Sequence, residues 1–349
     1  MLILGIESSC DETAISLVED GHKVLSSHIS SQIDQHSAYG GVIPELAARE
    51  HLSNITPVLN LSLQEAGKSL EDIDGIAVTH QPGLLPALLV GTSFAKGLSA
   101  SLNVPLTGVN HLVAHVYAGF IEEQHLLEKE SYPLSALLVS GGHTQIILIQ
   151  EDGSAKIIGQ TIDDAAGEAF DKAAKILDLG YPGGPLIDKL AKKGNHKAVD
   201  FPRPLCTKKD IAKHRFNFSF SGLKTSLYYK VKDQELKDQE LLDFVASYQW
   251  AIVDVLTRKT LDACKEHGAK NIVVGGGVAC NSLLRSHLTE QAGRRGIQTF
   301  LTPAKYCSDN AAMIAALGYH NLKNGKKGQG MSLETSPRAE KLAKVAFLK

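Results

Sequence analysis

At 349 residues the chain is long enough for two cores, and its 43% hydrophobic and 21% charged residues are ordinary globular composition. A formal net charge of -2 offers no global basic field of the kind that draws a whole protein onto nucleic acid. Five cysteines (Cys10, Cys206, Cys264, Cys280, Cys307) form no close pairs, and neither a signal peptide nor an apolar run of membrane length is visible, so a cytoplasmic protein with no membrane contact is expected.

The opening LILGIESSCDETAISLVEDGHKVLSS predicts a strand, a polar turn with Glu7, Asp11 and Glu12, and a second strand with period-two alternation. PELAAREHLSNITPVLNLSLQEAG, 44–67, has helical spacing, and IDGIAVTHQPG, 73–83, reads as a buried strand entering a turn. LLPALLVGTSFAKGLSASL, 84–102, reads as a helix, VPLTGVN as a short strand, and VNHLVAHVYAG, 109–119, as a helix start with Asn110 at its N-cap. LSALLVSGGHTQIILIQEDG, 134–153, repeats the opening pattern. Both stretches have a polar turn ending in threonine (Thr13, Thr144), an apolar strand and then Glu-Asp-Gly, which points to an internal duplication. The second half adds a helix at DAAGEAFDKAAKILDLG, the turn YPGGP, a long amphipathic helix near 238–267 with Trp250 in the core, and a strand and turn at NIVVGGGVACN, 271–281. Strands alternating with helices predict an α/β fold with parallel or mixed sheets.

Two local basic segments stand out on this neutral chain. Residues 203–230 hold seven Lys/Arg against Asp210 alone, with aromatics interleaved, and residues 322–349 hold seven Lys/Arg against two Glu. Each is compatible with a nucleic-acid contact or with a solvated basic face.

His111 and His115 are four residues apart, so they share one helical face and can grip one metal ion. The zinc-peptidase pattern places a glutamate beside the first histidine as general base, whereas Leu112 stands here. Asp309, at the start of a helix in CSDNAAMIAALG, is a candidate third ligand, with a helix cap as the plainer reading. The glycine turns at 140–142 and 275–277 follow apolar strands and can expose N–H groups to phosphate, but match neither the Rossmann nor the P-loop pattern. Asp171 and Asp188 bracket YPGGP, where they suit hydroxyl or amine recognition.

These hairpins and turns resemble the actin/hexokinase/Hsp70-like (ribonuclease H-like) superfamily, which implies duplicated domains with a central nucleotide cleft. More specifically, LGIESSCDETA, GVIPELAAREH, NHLVAHVYAG, LLVSGGHTQ, DDAAGEAFDKAAKILDLGYPGGP, FNFSFSGLKT, VGGGVACNSLLR and CSDNAAMIAALG resemble the bacterial TsaD family over roughly residues 1–320. These are the tRNA N6-adenosine threonylcarbamoyltransferases, once called O-sialoglycoprotein endopeptidases. The resemblance implies transfer of the threonylcarbamoyl group from threonylcarbamoyl-AMP to N6 of adenosine 37 in tRNAs reading ANN codons. A metallopeptidase and a small-molecule kinase of the same superfamily are the alternatives.

The resemblance further implies one metal on His111, His115 and Asp309, with Fe2+ favoured and Zn2+ chemically suited. It places Leu138, Val139, Ser140, Gly141, Gly142, Asp171, Gly184, Asp188 and Asn281 at the substrate, and Asp11 with Glu12 at the catalytic step. The implied partners are the tRNA anticodon arm, a TsaB-like paralogue on the N-terminal domain, and a TsaE-like P-loop ATPase. Domains are expected at 1–132, rejoined by a C-terminal helix within 322–349, and at 133–321. Two positions depart from the family pattern: Gln81 where glycine is usual, and Cys280 where alanine is usual.

Overall fold

The computed structural model describes all residues except 38, 40, 234–235, 325–327, 340–344, 346 and 348–349. It divides into two compact units, Met1–Lys129 with Glu151–Ser154 and Lys305–Lys349, and Glu130–Gln150 with Ala155–Ala304. The chain leaves the first unit after Lys129 and returns to it at Lys305.

In the first unit, β1 (Leu2–Glu7) is LILGIE, a run with no polar side, and it is buried along its whole length. β2 (Glu12–Glu19) returns antiparallel, with Ile6 opposite Ile15, and β3 (Lys23–Ser31) lies antiparallel on the outside of β2. The turn between them uses Asp20 and Gly21 with φ of 52° and 76°, the left-handed pair that a tight hairpin turn requires. A short helix α1 (Ile33–Ser37) and the long α2 (Pro44–Ala66) follow. Next come β4 (Gly75–Gln81), α3 (Leu85–Leu102), β5 (Leu106–Asn110) and α4 (His111–Tyr117). β4 and β5 run parallel to β1, giving the order β3-β2-β1-β4-β5. Leu2, Leu4 and Ile6 share a core with Ile55, Val58 and Leu59 of α2, Ile76 and Val78 of β4, and Ala95 of α3. By length and composition α3 is apolar enough to cross a membrane, contrary to the sequence reading, yet it packs on β4 and α2 through Ala87, Leu88, Gly91, Thr92 and Ala95.

The second unit repeats the plan. β6 (Leu134–Val139), β7 (Thr144–Ile149) and β8 (Ala155–Gln160) form an antiparallel meander. α5 (Ala166–Ile176), α6 (Gly183–Ala191), α7 (Lys208–His214), α8 (Ser221–Val231) and α9 (Asp238–His267) precede β9 (Asn271–Gly275), α10 (Ser282–Gly293) and β10 (Gln298–Leu301). β9 and β10 are parallel to β6, so β10-β9-β6-β7-β8 has the order and strand senses of β5-β4-β1-β2-β3. The duplication expected from the two hairpins is thus a duplication of the whole sheet. Trp250, read as core, is only half-buried, with its ring against His196 and His287 at centroid distances of 5.0 and 4.7 Å.

α11 (Ala311–Lys323) returns to the first unit and packs on β1, β2 and β4. Its backbone comes so close to β1 that a Cβ at Gly5 would overlap the Ala311 carbonyl and lie 2.7 Å from the Ala315 nitrogen. Only glycine permits that approach. Beyond α11 the described residues contain a 3₁₀ turn at Gly330–Ser332 and no further α-helix, and most of 340–349 lies outside them. The tail nonetheless packs on the first unit: Leu333 joins its core, and the Phe347 ring lies 5.1 Å from Tyr117 and 5.0 Å from Phe120.

Candidate functional site

Asn110 ends β5 and starts α4. Its side-chain oxygen accepts from the N–H of Leu112 at 3.0 Å and of Val113 at 3.1 Å, so the helix begins at His111. His111 and His115 then share one face, with ring centroids 4.5 Å apart. Asp309 does not cap the helix that follows it. Asn310 does, accepting from Met313 N–H at 3.1 Å, and this leaves the Asp309 carboxylate to face the histidines. Its Oδ1 lies 3.0 Å from His115 Nε2 and 3.5 Å from His111 Nε2.

Behind His111 stands a residue that the sequence reading placed in the turn without a role. Glu7 is fully buried, and His111 Nδ1 donates to its Oε2 at 2.9 Å. The same carboxylate accepts from Thr79 Oγ1 and from the Ser9 N–H, each at 2.6 Å. A carboxylate on the far nitrogen of a histidine fixes the tautomer and turns Nε2 toward an ion. Burial opposes a proton on His111, but the Asp309 and Glu7 carboxylates outweigh it and lift its pKa to about 9. Burial likewise works against ionised Glu7, yet the His111 charge holds its pKa below the usual value. His115 lacks such a brace, its Nδ1 being buried with no hydrogen-bond partner among the described residues.

The donor set suits one divalent cation. Two imidazole nitrogens and a carboxylate oxygen lie within 4.8 Å of one another. Two of their separations are already close to those of donors sharing an ion through bonds of about 2.1 Å. Three protein ligands leave positions open for substrate, unlike a closed structural site.

Beside this cluster, Asp11 ends the turn and is buried, and Glu12 opens β2 and is half-buried. Burial, together with the charges of Asp309 and Asp11, pushes Glu12 up to about 10. Glu12 is therefore the protonated partner of the two carboxyls at neutral pH. Burial and Asp11 likewise push the Cys10 thiol up, so it is no thiolate nucleophile. The turn is held from α2 by His51: its Nε2 donates to the Cys10 carbonyl at 3.0 Å, and its Nδ1 accepts from Thr13 Oγ1 at 2.7 Å. Burial lowers the His51 pKa, in keeping with a neutral ring. The signal for His51 was its place in the buried stripe Ala47, His51, Ile55, where a polar residue needs partners. Gln81 pairs across a β-bulge with Asn110, the residue that caps the histidine helix.

In the second unit, Leu138 and Val139 end β6, buried, and Ser140, Gly141 and Gly142 form the turn into β7. Ser140 N–H donates to the His143 carbonyl at 2.8 Å, so the exposed Gly141 and Gly142 are the donors left to a ligand. α5 starts against this turn, its Gly167 N–H donating to the Ser140 carbonyl at 3.2 Å. At the end of the neighbouring strand β9, Gly276 has φ 91°, and a Cβ there would overlap the Val139 carbonyl. Asp171 accepts from Gly183 N–H at 2.8 Å and also from Gly184, while burial raises its pKa. Asp188 accepts from Ser282 through N–H at 3.1 Å and Oγ at 2.8 Å. Asn281 caps α10 through Leu284 N–H at 2.9 Å, and its amide donates to Gln249 at 3.1 Å. Cys280, the second departure from the family pattern, is exposed beside it.

The family model for TsaD, tRNA N6-adenosine threonylcarbamoyltransferase, matches residues 23–316. The chain is 49% identical over 325 residues to a protein of that name from Thermosipho africanus, covering 93% of this chain and 96% of that protein. It is 47% identical to the one from Clostridioides difficile, with 97% of each chain covered. Among solved structures, HypF from T. kodakarensis matches with a TM-score of 0.59 at 14% identity, over 93% of this chain and 48% of that one. Component A of the (R)-2-hydroxyglutaryl-CoA dehydratase of Acidaminococcus fermentans matches with 0.55 at 16% identity, over 93% and 99%. These two likenesses are of fold alone and agree with a duplicated actin-like α/β architecture. Matched across most of its length by the family model and by relatives at about half identity, the chain belongs to the TsaD family of tRNA N6-adenosine threonylcarbamoyltransferases.

Proposed function

We propose that this chain transfers the threonylcarbamoyl group of threonylcarbamoyl-AMP to N6 of adenosine 37 in tRNAs reading ANN codons. Identity of about one half along nearly the whole chain to proteins of that name carries the reading. A peptidase reading has no support at the cluster, because Leu112 occupies the place of the general-base glutamate.

The chemistry sets what the residues must do. The exocyclic amine of adenine is a poor nucleophile because its lone pair is shared with the ring, so the carbonyl arrives activated as a mixed anhydride. The N6–C bond forms, the bond from carbonyl carbon to phosphate oxygen breaks, AMP leaves, and N6 gives up a proton. His111, His115 and Asp309 would hold the ion, Fe2+ or Zn2+, which when bound would supply a Lewis acid for charge on the donor. Glu7 fixes the direction of His111. Asp11 takes the N6 proton, and neutral Glu12, hydrogen-bonded to Asp11, keeps that carboxylate in place. The N–H groups of Gly141 and Gly142 hold an oxygen of the phosphate or carbonyl. Asp171 with Gly184, and Asp188 with Asn281, hold the remainder of the donor beside the starts of α6 and α10.

The basic segments 203–230 and 322–349 suit the anticodon arm. Leu52 and Leu61 on α2, with Leu85 and Leu89 on α3, are 41–66% exposed and offer a TsaB-like paralogue an apolar seat on the first unit. A TsaE-like ATPase completes the set, and five free cysteines suit the cytoplasm. Incubation with labelled threonylcarbamoyl-AMP, tRNA and both partners tests the reading. Label in the adenosine nucleoside of digested tRNA is expected, and donor hydrolysis with unlabelled tRNA is the contrary result.

A further inference from the structure

The charge in segment 203–230 is not equally available to a ligand. Arg203 donates to Asp254 at 2.9 Å and to the Phe201 carbonyl at 2.6 Å. Arg215 pairs with Glu266 at 2.5 Å and lies over the Phe216 ring. Lys259 of α9, almost fully buried, donates to the carbonyls of Leu205, His214 and Arg215 at 2.9–3.2 Å and ties the segment down. These cations hold the segment in place.

α8 presents something different. It buries Leu223 and Leu227, four residues apart, against α5. Its exposed side carries Lys224, Tyr228 and Lys232 at i, i+4 and i+8, one stripe along the helix, with Tyr229 beside it. Tyr228 is 52% exposed and Tyr229 64%, with ring centroids 5.6 Å apart in an edge-on arrangement. The Lys232 ammonium sits 5.3 Å from the Tyr229 centroid and pairs only loosely with the exposed Asp233, at 3.7 Å. Two neighbouring aromatics turned to solvent on a helix whose apolar stripe is already used require a reason. A protein interface is poor in lysine at its centre. Rings flanked by ammonium groups one turn either way suit unpaired bases with their phosphates.

We propose that the Lys224–Tyr228–Lys232 stripe of α8, with Tyr229, is a stacking platform for unpaired bases of an RNA loop. This rests on the proposed tRNA substrate and narrows it, assigning base stacking, with phosphate contacts from Lys224 and Lys232, to α8, and phosphate attraction without stacking to the exposed Lys208, Lys209 and Lys213 of α7. The platform reads no sequence, because every base has a face to stack.

The test uses the full-length protein with its partner proteins and two synthetic RNAs, an anticodon stem-loop and a fully paired duplex of equal length. Tyr228→Ala/Tyr229→Ala should weaken stem-loop binding at least tenfold, while duplex binding changes less than twofold. Tyr228→Phe/Tyr229→Phe should bind as wild type, since stacking needs the ring and not the hydroxyl. Lys224→Ala/Lys232→Ala should lower the slope of log affinity against log salt by about 1.4, from two lost contacts to single-stranded phosphate. Unchanged stem-loop affinity in the alanine pair, while wild type modifies tRNA, would overturn the platform and leave the transferase standing. Loss of co-elution with the partner proteins at unchanged RNA affinity would make the patch a protein contact instead. Failure of the wild-type assembly both to bind stem-loop and to label tRNA would remove the transferase reading, and the platform with it.

Discussion

His111 sits between two carboxylates, Glu7 on Nδ1 and Asp309 toward Nε2, and its pKa of about 9 is the consequence. A cation that uses Nε2 must displace that proton. Below pH 9 the apparent metal affinity should therefore rise about tenfold per pH unit, and binding near pH 7.5 should release about one proton. Calorimetry in two buffers of different ionisation heat measures this, and a pH-independent affinity would contradict it. Glu7→Gln keeps the volume but not the charge, so it should weaken metal binding by about 10–100-fold with the fold intact, read by metal titration alongside a thermal melt. The histidine pair was legible from spacing alone, and Leu112 told against a peptidase. Glu7 was visible as an acid at the end of an apolar strand, but only its partners His111, Thr79 and Ser9, which are 104, 72 and 2 residues away, give it a role.

At the scale of elements, the site depends on where helices begin. Asn110 starts α4 and Asn310 starts α11, and each cap sits beside a residue of the cluster. Asn110→Ala should cost about 0.5–2 kcal/mol of stability. Because the first turn of α4 carries His111, it should also weaken metal binding, whereas an equal loss of stability caused elsewhere in the unit should not. Chemical denaturation and metal titration of the same samples separate the two. The helices and strands were readable from periodicity because their apolar faces repeat at 3.6 or 2. Which of two neighbouring polar residues caps α11 was not, since Asp309 and Asn310 have similar preference for that position. The span of α3 was readable too, at 84–102 against Leu85–Leu102, but its apolar length was not, because Gly91 and the small residues after it break the apolar run in sequence without breaking the helix.

Across the molecule, each unit closes a five-stranded sheet with one strand order, and each places a four-residue turn after its first strand: Ser8–Asp11 in one, Ser140–His143 in the other. The turns diverged in chemistry. The first ends in Asp11 and is braced by His51 through the Cys10 carbonyl, and the second carries the exposed Gly141 and Gly142. The first unit also depends on a late segment, and Gly5→Ala should expose this. A methyl group there overlaps the Ala311 carbonyl, so α11 must move off β1 at a cost of about 1–3 kcal/mol. Asp309 should shift with it, lowering metal affinity beyond the effect on melting temperature. The common sheet plan was legible because the Glu-Asp-Gly and threonine positions recur. The return of the chain at Lys305 was not, because no composition change marks it. The most direct measurement is threonylcarbamoylation of tRNA by the assembled proteins, comparing wild type with His111→Ala and Asp309→Asn, with metal content determined on the same samples. Label at adenosine in wild type, lost together with the metal in both variants, is the expected result. Full labelling by metal-depleted variants would contradict a role for the cluster in the transfer, and unlabelled tRNA in wild type, with donor and partners verified, would contradict the transfer itself.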